Sequence, residues 1–103
     1  VMGHGKCGGC NAALTQELRD APPGEGGFIA NWIELLDGAR ENVVAQFGED
    51  IGPDAQRAME KEGVKTSLAN LRTFPCVQAK EGKGKLKLIG AVFAISDGVL
   101  HVL

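Results

Sequence analysis

The sequence predicts an α/β fold in which a mostly parallel β-sheet is flanked by helices and ends in a C-terminal antiparallel hairpin. A strand end, a glycine-rich turn and a helix follow one another at the start of the chain. The middle carries two segments with helical apolar spacing, and the final segment places two strands around a tight turn. The chain has 103 residues, so we expect a single domain over residues 1–103.

The first part of the chain places a glycine-rich turn between a strand and a helix. Val1–Met2 is apolar and suits a strand, and four of the seven residues in Gly3–Gly9 are glycines. Asn11–Asp20 predicts a short helix, and residues 21–27 (APPGEGG) predict a loop. In α/β sheets, the turn between a strand and the following helix is a usual place for a functional site.

The middle of the chain predicts two amphipathic helices. Apolar residues spaced three and four apart predict a helix over Phe28–Phe47, and Gly38 is the point where this helix can be interrupted. Trp32 lies on the apolar stripe of this helix and is predicted to be in the core. Pro53 suits the first turn of a second helix, which is predicted to run to about Leu71.

The last third of the chain predicts a strand hairpin. Pro75 is predicted to stop any continuation of the preceding helix. The apolar run Leu88–Ile95 predicts a strand that is buried on both faces, and Leu86–Ile95 as a whole is the first arm of the hairpin. The chain then turns at residues 96–98 (SDG) and returns as Val99–Leu103.

Composition and charge argue against several classes of function. Eleven basic and thirteen acidic residues give a net charge of −2, which disfavours a nucleic acid partner because phosphate binding needs a basic surplus. No apolar run approaches the roughly 20 residues that span a bilayer, so no membrane partner is expected. The amino terminus shows no secretory signal pattern. Three cysteines are too few for a disulfide framework, and we expect a reducing, cytoplasmic setting.

His4 and Cys7 are candidate metal ligands in the glycine-rich turn. Imidazole and thiolate are good zinc ligands, and a catalytic zinc takes three protein ligands and leaves one position open. The surrounding glycines let the backbone fold tightly enough for both side chains to reach one ion. The positive end of the following helix favours a ligating thiolate. The spacing alone does not distinguish a zinc site from an ordinary glycine-rich turn with a histidine and a buried cysteine.

Cys10 leaves the ligand set open. His4, Cys7 and Cys10 could supply three ligands from one turn, and the two cysteines could also form a redox pair. Redox pairs usually have an aromatic or proline context, which the intervening Gly-Gly does not provide. We interpret Cys10 as a small apolar residue on the first turn of the helix. Cys76 is also predicted to lie in the core.

The segment Gly3–Gly9 (GHGKCGG) resembles the G-H-x-x-C-G-G signature of the β-class carbonic anhydrases. The resemblance extends over essentially the whole chain. It continues through FIANWI at 28–33, VKTSLANLRTFPCV at 64–77 and LKLIGAVFAISDGVLHVL at 86–103. The resemblance implies that His4 and Cys7 bind a catalytic zinc and that Gly8 lines the substrate pocket. It also implies reversible hydration of carbon dioxide to bicarbonate by a homo-oligomer, either a dimer or a tetramer.

One motif of that family is absent from the sequence. The family carries a Cys-x-Asp-x-Arg motif on an earlier strand, which supplies a second thiolate and an Asp–Arg pair beside the metal. No such motif occurs in these 103 residues, so we expect a β-carbonic-anhydrase-like domain that is incomplete at its N-terminus. Two alternatives to carbon dioxide hydration stay open. One is hydrolysis of carbonyl sulfide or carbon disulfide on the same scaffold, and the other is a non-catalytic zinc-binding or assembly module.

Overall fold

A computed structural model describes residues 1–103 and contains five α-helices and a three-stranded sheet. The elements are β1 (Met2–His4), α1 (Gly8–Thr15), α2 (Gly27–Ile33), α3 (Asp37–Phe47), α4 (Pro53–Leu71), α5 (Pro75–Gly82), β2 (Ala91–Ala94) and β3 (Val99–Val102). Two single 3₁₀ turns, Pro23–Glu25 and Glu34–Leu36, precede α2 and α3. No helix is long and apolar enough to cross a membrane.

The sheet has the order β1-β2-β3, so that β2 is the central strand. β1 runs parallel to β2 and places His4 opposite Phe93, whereas β2 and β3 are antiparallel and pair Ala91 with Val102. All five helices lie in the crossover between β1 and β2. The predicted α/β fold and the C-terminal hairpin are therefore confirmed.

The first arm of the hairpin is shorter than predicted. Strand β2 begins at Ala91, and the predicted strand over Leu86–Ile95 is too long at both ends. The backbone of Val1 hydrogen bonds to Ile89 and to Ala91, next to the start of β2. Burial on both faces of Leu88–Ile95 is also wrong, because Ile89 and Ile95 are about half exposed.

The core lies between α1, α3 and α4. Leu14 of α1, Val43 of α3 and Met59 of α4 are almost completely buried, and three alanines complete the cluster: Ala13, Ala39 and Ala55. The Arg40 side chain crosses from α3 and donates from Nε to the carbonyl oxygen of Leu14 at 3.0 Å. This bond satisfies a carbonyl at the end of α1, where helices leave carbonyls unpaired.

Two predicted helices differ in their bounds from those of the structure. The helix predicted over Asn11–Asp20 is α1, and it ends at Thr15 because Gln16 adopts a left-handed conformation with φ 59°. The helix predicted over Phe28–Phe47 is divided into α2 and α3 by the 3₁₀ turn, so that the interruption begins before Gly38. The helix that begins at Pro53 and ends at Leu71 is confirmed.

Pro75 and Cys76 differ from their predicted roles. Helix α4 ends at Leu71, before Pro75, and Pro75 is the first residue of α5. Proline is tolerated there because the N–H groups of the first helical turn have no hydrogen-bond partner within the helix. Cys76 therefore lies on a short surface helix and is exposed, and its predicted place in the core is wrong.

Trp32 is 72% exposed, and the prediction that it lies in the core is wrong. Helix α2 packs against the core through Ile33 and the following turn does so through Leu36. Successive residues of a helix point about 100° apart, so burying Ile33 turns Trp32 away from the core. Phe28, Ile29 and Leu35 are exposed beside it. We call Phe28, Ile29, Trp32 and Leu35 the α2 apolar patch.

Candidate metal centre

A two-residue turn joins the end of β1 to the start of α1 and separates His4 from Cys7. His4 is the last residue of β1, and Cys7 is the N-cap of α1. The amide of Gly5 donates to the carbonyl oxygen of Phe93 at 2.8 Å, which extends the pairing with β2 by one residue. Lys6 then adopts a left-handed conformation with φ 55°. The chain thus reverses within two residues and brings His4 and Cys7 to the same end of the sheet.

The His4 ring is exposed and is tied to the backbone through one nitrogen. Its Nδ1 lies 3.0 Å from the carbonyl oxygen of Gly5. This contact favours the tautomer that carries the proton on Nδ1 and donates it to Gly5. The lone pair of Nε2 is then free to bind a metal, which is the arrangement that metal-ligating histidines usually show.

Cys7 is half-buried at the positive end of α1. Its backbone is extended, and its carbonyl oxygen accepts the first helical hydrogen bond, from the amide of Asn11 at 3.0 Å. The side chain makes no capping hydrogen bond. The thiol is therefore not used to cap α1, and it interacts with the thiol of Cys10.

Cys10 lies one turn further along α1 and packs against the core cluster. A Cβ built on Gly63 of α4 would lie 3.7 Å from its sulfur, which places Cys10 against that helix. Burial, the neighbouring Cys7 and Glu60 together raise the pKa of Cys10 to about 12, and burial is the largest of these causes.

Glu60 is a buried carboxylate beneath the turn, and sequence reasoning did not single it out. It is 6% exposed, and its Oε1 accepts the amide of Lys6 at 2.7 Å. Its place on the buried face of α4 was readable, because Glu60 directly follows Met59 and precedes Val64 by four residues, and both belong to that face.

His4, Cys7, Cys10 and Glu60 all line one groove of about 510 Å³. Apolar residues form much of the rest of its wall, including Met2, Trp32, Leu35 and Val64. The first residue of α1, Gly8, is exposed and lies outside this lining, whereas Gly9 belongs to it. The predicted pocket role of Gly8 stays a prediction.

The groove holds two metal-ligating side chains of the predicted set, and its donors fall short of a complete site. No three His, Cys, Asp or Glu side chains of the chain are arranged to hold a metal ion. A catalytic zinc takes three protein ligands. His4 and Cys7 therefore fit a zinc ion as part of a ligand set and not as the whole of it.

A family model described as carbonic anhydrase matches residues 1–100. The chain belongs to the β-carbonic anhydrase family. It is similar to beta carbonic anhydrase 3 of Arabidopsis thaliana, with 35% identity over 99% of this chain and 39% of that protein. It is also similar to carbonic anhydrase 1 of Escherichia coli O157:H7, with 32% identity over 95% of this chain and 42% of that protein.

Solved β-carbonic anhydrases share the fold. The structure of the β-carbonic anhydrase CcaA matches 99% of this chain and 48% of its own, with a TM-score of 0.87 and 25% identity. A Coccomyxa β-carbonic anhydrase in complex with acetazolamide matches 100% of this chain and 45% of its own, with a TM-score of 0.77 and 26% identity. The chain thus spans less than half the length of each of these β-carbonic anhydrases.

Proposed function

We propose that the protein catalyses the reversible hydration of carbon dioxide to bicarbonate and a proton, with zinc as its cofactor. The observation that carries the proposal is the placement of His4 and Cys7 on one groove of a chain that belongs to the β-carbonic anhydrase family. Proteins of that family that resemble this chain are named carbonic anhydrases.

His4 and Cys7 are the residues that we assign to the metal. The contact between His4 Nδ1 and Gly5 orients the ring, and Cys7 lies at the N-cap of α1 with its side chain not used as a cap. Cys10 is left out because it packs against the core cluster and against Gly63 of α4. We propose that residues outside these 103 supply the remaining ligands, because no three His, Cys, Asp or Glu side chains of the chain are arranged to hold a metal ion.

The groove provides the surroundings that the reaction needs. Zinc bound there would supply the Lewis acidity that activates water for attack on carbon dioxide. The apolar wall, which includes Leu35 and Val64, suits an uncharged and weakly hydrated substrate. Gly8 begins α1 next to the lining residue Gly9, and we propose that its backbone lies at the rim of the substrate pocket.

We further propose a homo-oligomer, a dimer or tetramer, in a cytoplasmic setting, with residues 1–103 acting as the later part of one domain. The α2 apolar patch supports the oligomer, because a contiguous apolar surface of this kind is typical of a contact site. The three free cysteines are compatible with a reducing compartment.

A non-catalytic zinc-binding or assembly module is the second candidate. The absence of a third donor beside His4 and Cys7 favours it, because an incomplete ligand set supports chemistry less well than a complete one. This candidate shares the zinc ligands with the first and differs only in the lack of turnover.

Zinc analysis combined with stopped-flow carbon dioxide hydration tests the proposal. We expect the protein supplied with a Cys-x-Asp-x-Arg segment to contain zinc and to hydrate carbon dioxide, and we expect His4→Ala in that protein to lose both. His101→Ala is the matched control, because His101 is exposed on β3 and pairs there with Val92. Zinc without turnover would indicate the assembly module, and turnover of carbonyl sulfide or carbon disulfide alone would indicate the sister activity. Absence of zinc would refute both zinc proposals.

A further inference from the structure

A single carboxylate of α4 holds the turn that separates His4 from Cys7. Glu60 Oε1 accepts the amide of Lys6 at 2.7 Å, and 54 residues separate the two partners in the sequence. Hydrogen bonds from a neutral donor to a carboxylate are shorter and stronger than those between neutral groups. The carboxylate is 6% exposed, so water competes little for this bond.

Lys6 needs support from outside the turn. It has a φ of 55°, and a residue with a Cβ atom adopts this left-handed conformation at a cost in free energy. The bond from Gly5 to Phe93 fixes the turn on one side, and the start of α1 at Cys7 fixes it on the other. The contact with Glu60 is the side-chain hydrogen bond that the Lys6 amide makes.

Helix α4 presents Glu60 from a rigid position. Met59 beside it is fully buried, and Val64, one turn further along, lies against Gly3 of β1. A Cβ built on Gly3 would lie 2.8 Å from Cγ2 of Val64 and 3.8 Å from the carbonyl oxygen of Glu60. Helix α4 therefore packs closely against β1, which places the carboxylate beside the turn that follows this strand.

We infer that Glu60 is a positioning residue that fixes the Lys6 turn in the conformation with which His4 and Cys7 bind one ion. Glu60 acts through the backbone of Lys6 and is not itself a zinc ligand. This inference rests on the proposed zinc site. It assigns a role in that site to a residue of α4, outside the β1–α1 turn that carries the two ligands.

The zinc affinity of three variants of the purified protein tests this role. Glu60→Gln keeps an acceptor oxygen at the same position, whereas Glu60→Ala removes it. Glu62→Gln is the matched control, because the same change is made two residues away on a carboxylate that does not contact the turn. Chelator competition measures zinc affinity, and amide hydrogen exchange measures the protection of Lys6.

We expect Glu60→Ala to weaken zinc binding by about 100-fold and Glu60→Gln by about 10-fold or less, which is the range known for residues that orient ligands. The Lys6 amide should be protected in the wild type and in Glu60→Gln, and it should exchange faster in Glu60→Ala. Glu62→Gln should match the wild type in both measurements.

Three results would separate the possible failures. Equal zinc affinity in the wild type and Glu60→Ala would overturn the inference and leave the proposed function intact. Loss of zinc from Glu60→Gln as severe as from Glu60→Ala would show that the carboxylate itself binds the metal, which also overturns it. Absence of any measurable zinc affinity in the wild type would refute the proposed function. If Glu60→Ala does not fold, an unprotected Lys6 amide in the folded wild type still contradicts the inference.

Discussion

Val64 and Gly90 lie in direct contact, and the methyl groups of Val64 fill the space that a side chain at position 90 would need. A Cβ built on Gly90 would lie 2.8 Å from Cγ1 of Val64 and 2.7 Å from Cδ1 of Leu68. On the neighbouring strand, a Cβ on Gly3 would lie 2.8 Å from the other methyl group of Val64. Helix α4 can approach both strands closely because glycine stands at both positions.

Gly90→Ala is expected to destabilise the protein by about 1–3 kcal/mol, which is typical of overpacking in a close contact. Urea unfolding measures the change. Gly38→Ala is the control, because nothing lies within 4 Å of a Cβ at that helical position. It should be neutral or stabilise the protein by up to about 1 kcal/mol. Equal stability of Gly90→Ala and the wild type would contradict the close approach of α4 to the sheet.

Glu62 contributes stability that depends on pH. A hydrogen bond from Lys65 lowers the pKa of Glu62, and a weaker one from Asn42 acts in the same direction, whereas burial opposes them. Because the folded pKa lies below the unfolded one, this contribution is present above the unfolded pKa and is lost as the pH falls through the folded pKa.

Glu62→Gln should therefore lower the free energy of unfolding at neutral pH and have no effect at strongly acidic pH. We expect a difference of at most about 0.5 kcal/mol, since Lys65 is largely exposed and such pairs are weak. Urea unfolding of both proteins near neutrality and below the folded pKa of Glu62 measures it. A difference that persists unchanged in acid would contradict the assignment to the ionised carboxylate.

The arrangement of the strands and the longest helix could be predicted from the sequence, because each has a local signal. Pro53 and the apolar spacing that ends at Leu71 define α4, and the SDG turn defines the hairpin. Helix α5 could not be predicted in the same way. It has eight residues and no buried residue, so its sequence shows no apolar stripe. Pro75 in the sequence is compatible both with the end of one helix and with the start of the next.

The site was predictable only where its residues have a local sequence signal. His4 and Cys7 were identified because their residue types and spacing carry zinc chemistry. The place of Glu60 near the buried face of α4 was readable from its neighbours, but its role was not, because its hydrogen bond to Lys6 joins residues 54 positions apart. Trp32 was predicted to lie in the core because it belongs to an apolar stripe. Such a stripe does not distinguish a face that packs against the chain's own core from an apolar face that is exposed on its surface.

The α2 apolar patch is expected to mediate self-association. Trp32 is 72% exposed and Phe28 is 71% exposed, so that substitution of Trp32 by glutamate places a charge in the middle of the patch. Trp32→Glu should shift the protein towards a smaller assembly in sedimentation velocity. Phe74→Glu, at an exposed aromatic residue that precedes α5, is the control and should leave the assembly unchanged. Identical sedimentation of Trp32→Glu and the wild type would exclude this patch as the contact.

Residues 1–103 alone are expected to bind zinc weakly. His4 and Cys7 supply two donors, and each missing thiolate removes a strong charged contact from the ion. Isothermal titration calorimetry with zinc should give a lower affinity for residues 1–103 alone than for the same residues supplied with a Cys-x-Asp-x-Arg segment. Carbon dioxide hydration should be slow in the first case and faster in the second. Stoichiometric, tight zinc binding by the 103 residues would bring Cys10 back as a third ligand.

The zinc content of Cys7→Ser compared with Cys10→Ser tests the central claim most directly. Cys7 is the N-cap of α1, and Cys10 lies three residues later in the first turn of the same helix. The two variants therefore make the same change at nearly the same place and differ in the ligand role of the residue that is changed. Elemental analysis of both variants, each supplied with the Cys-x-Asp-x-Arg segment, should show that Cys7→Ser has lost zinc and that Cys10→Ser retains the wild-type stoichiometry. Equal loss of zinc from both variants, or retention by Cys7→Ser, would contradict the assignment of His4 and Cys7 as the ligands that this chain supplies.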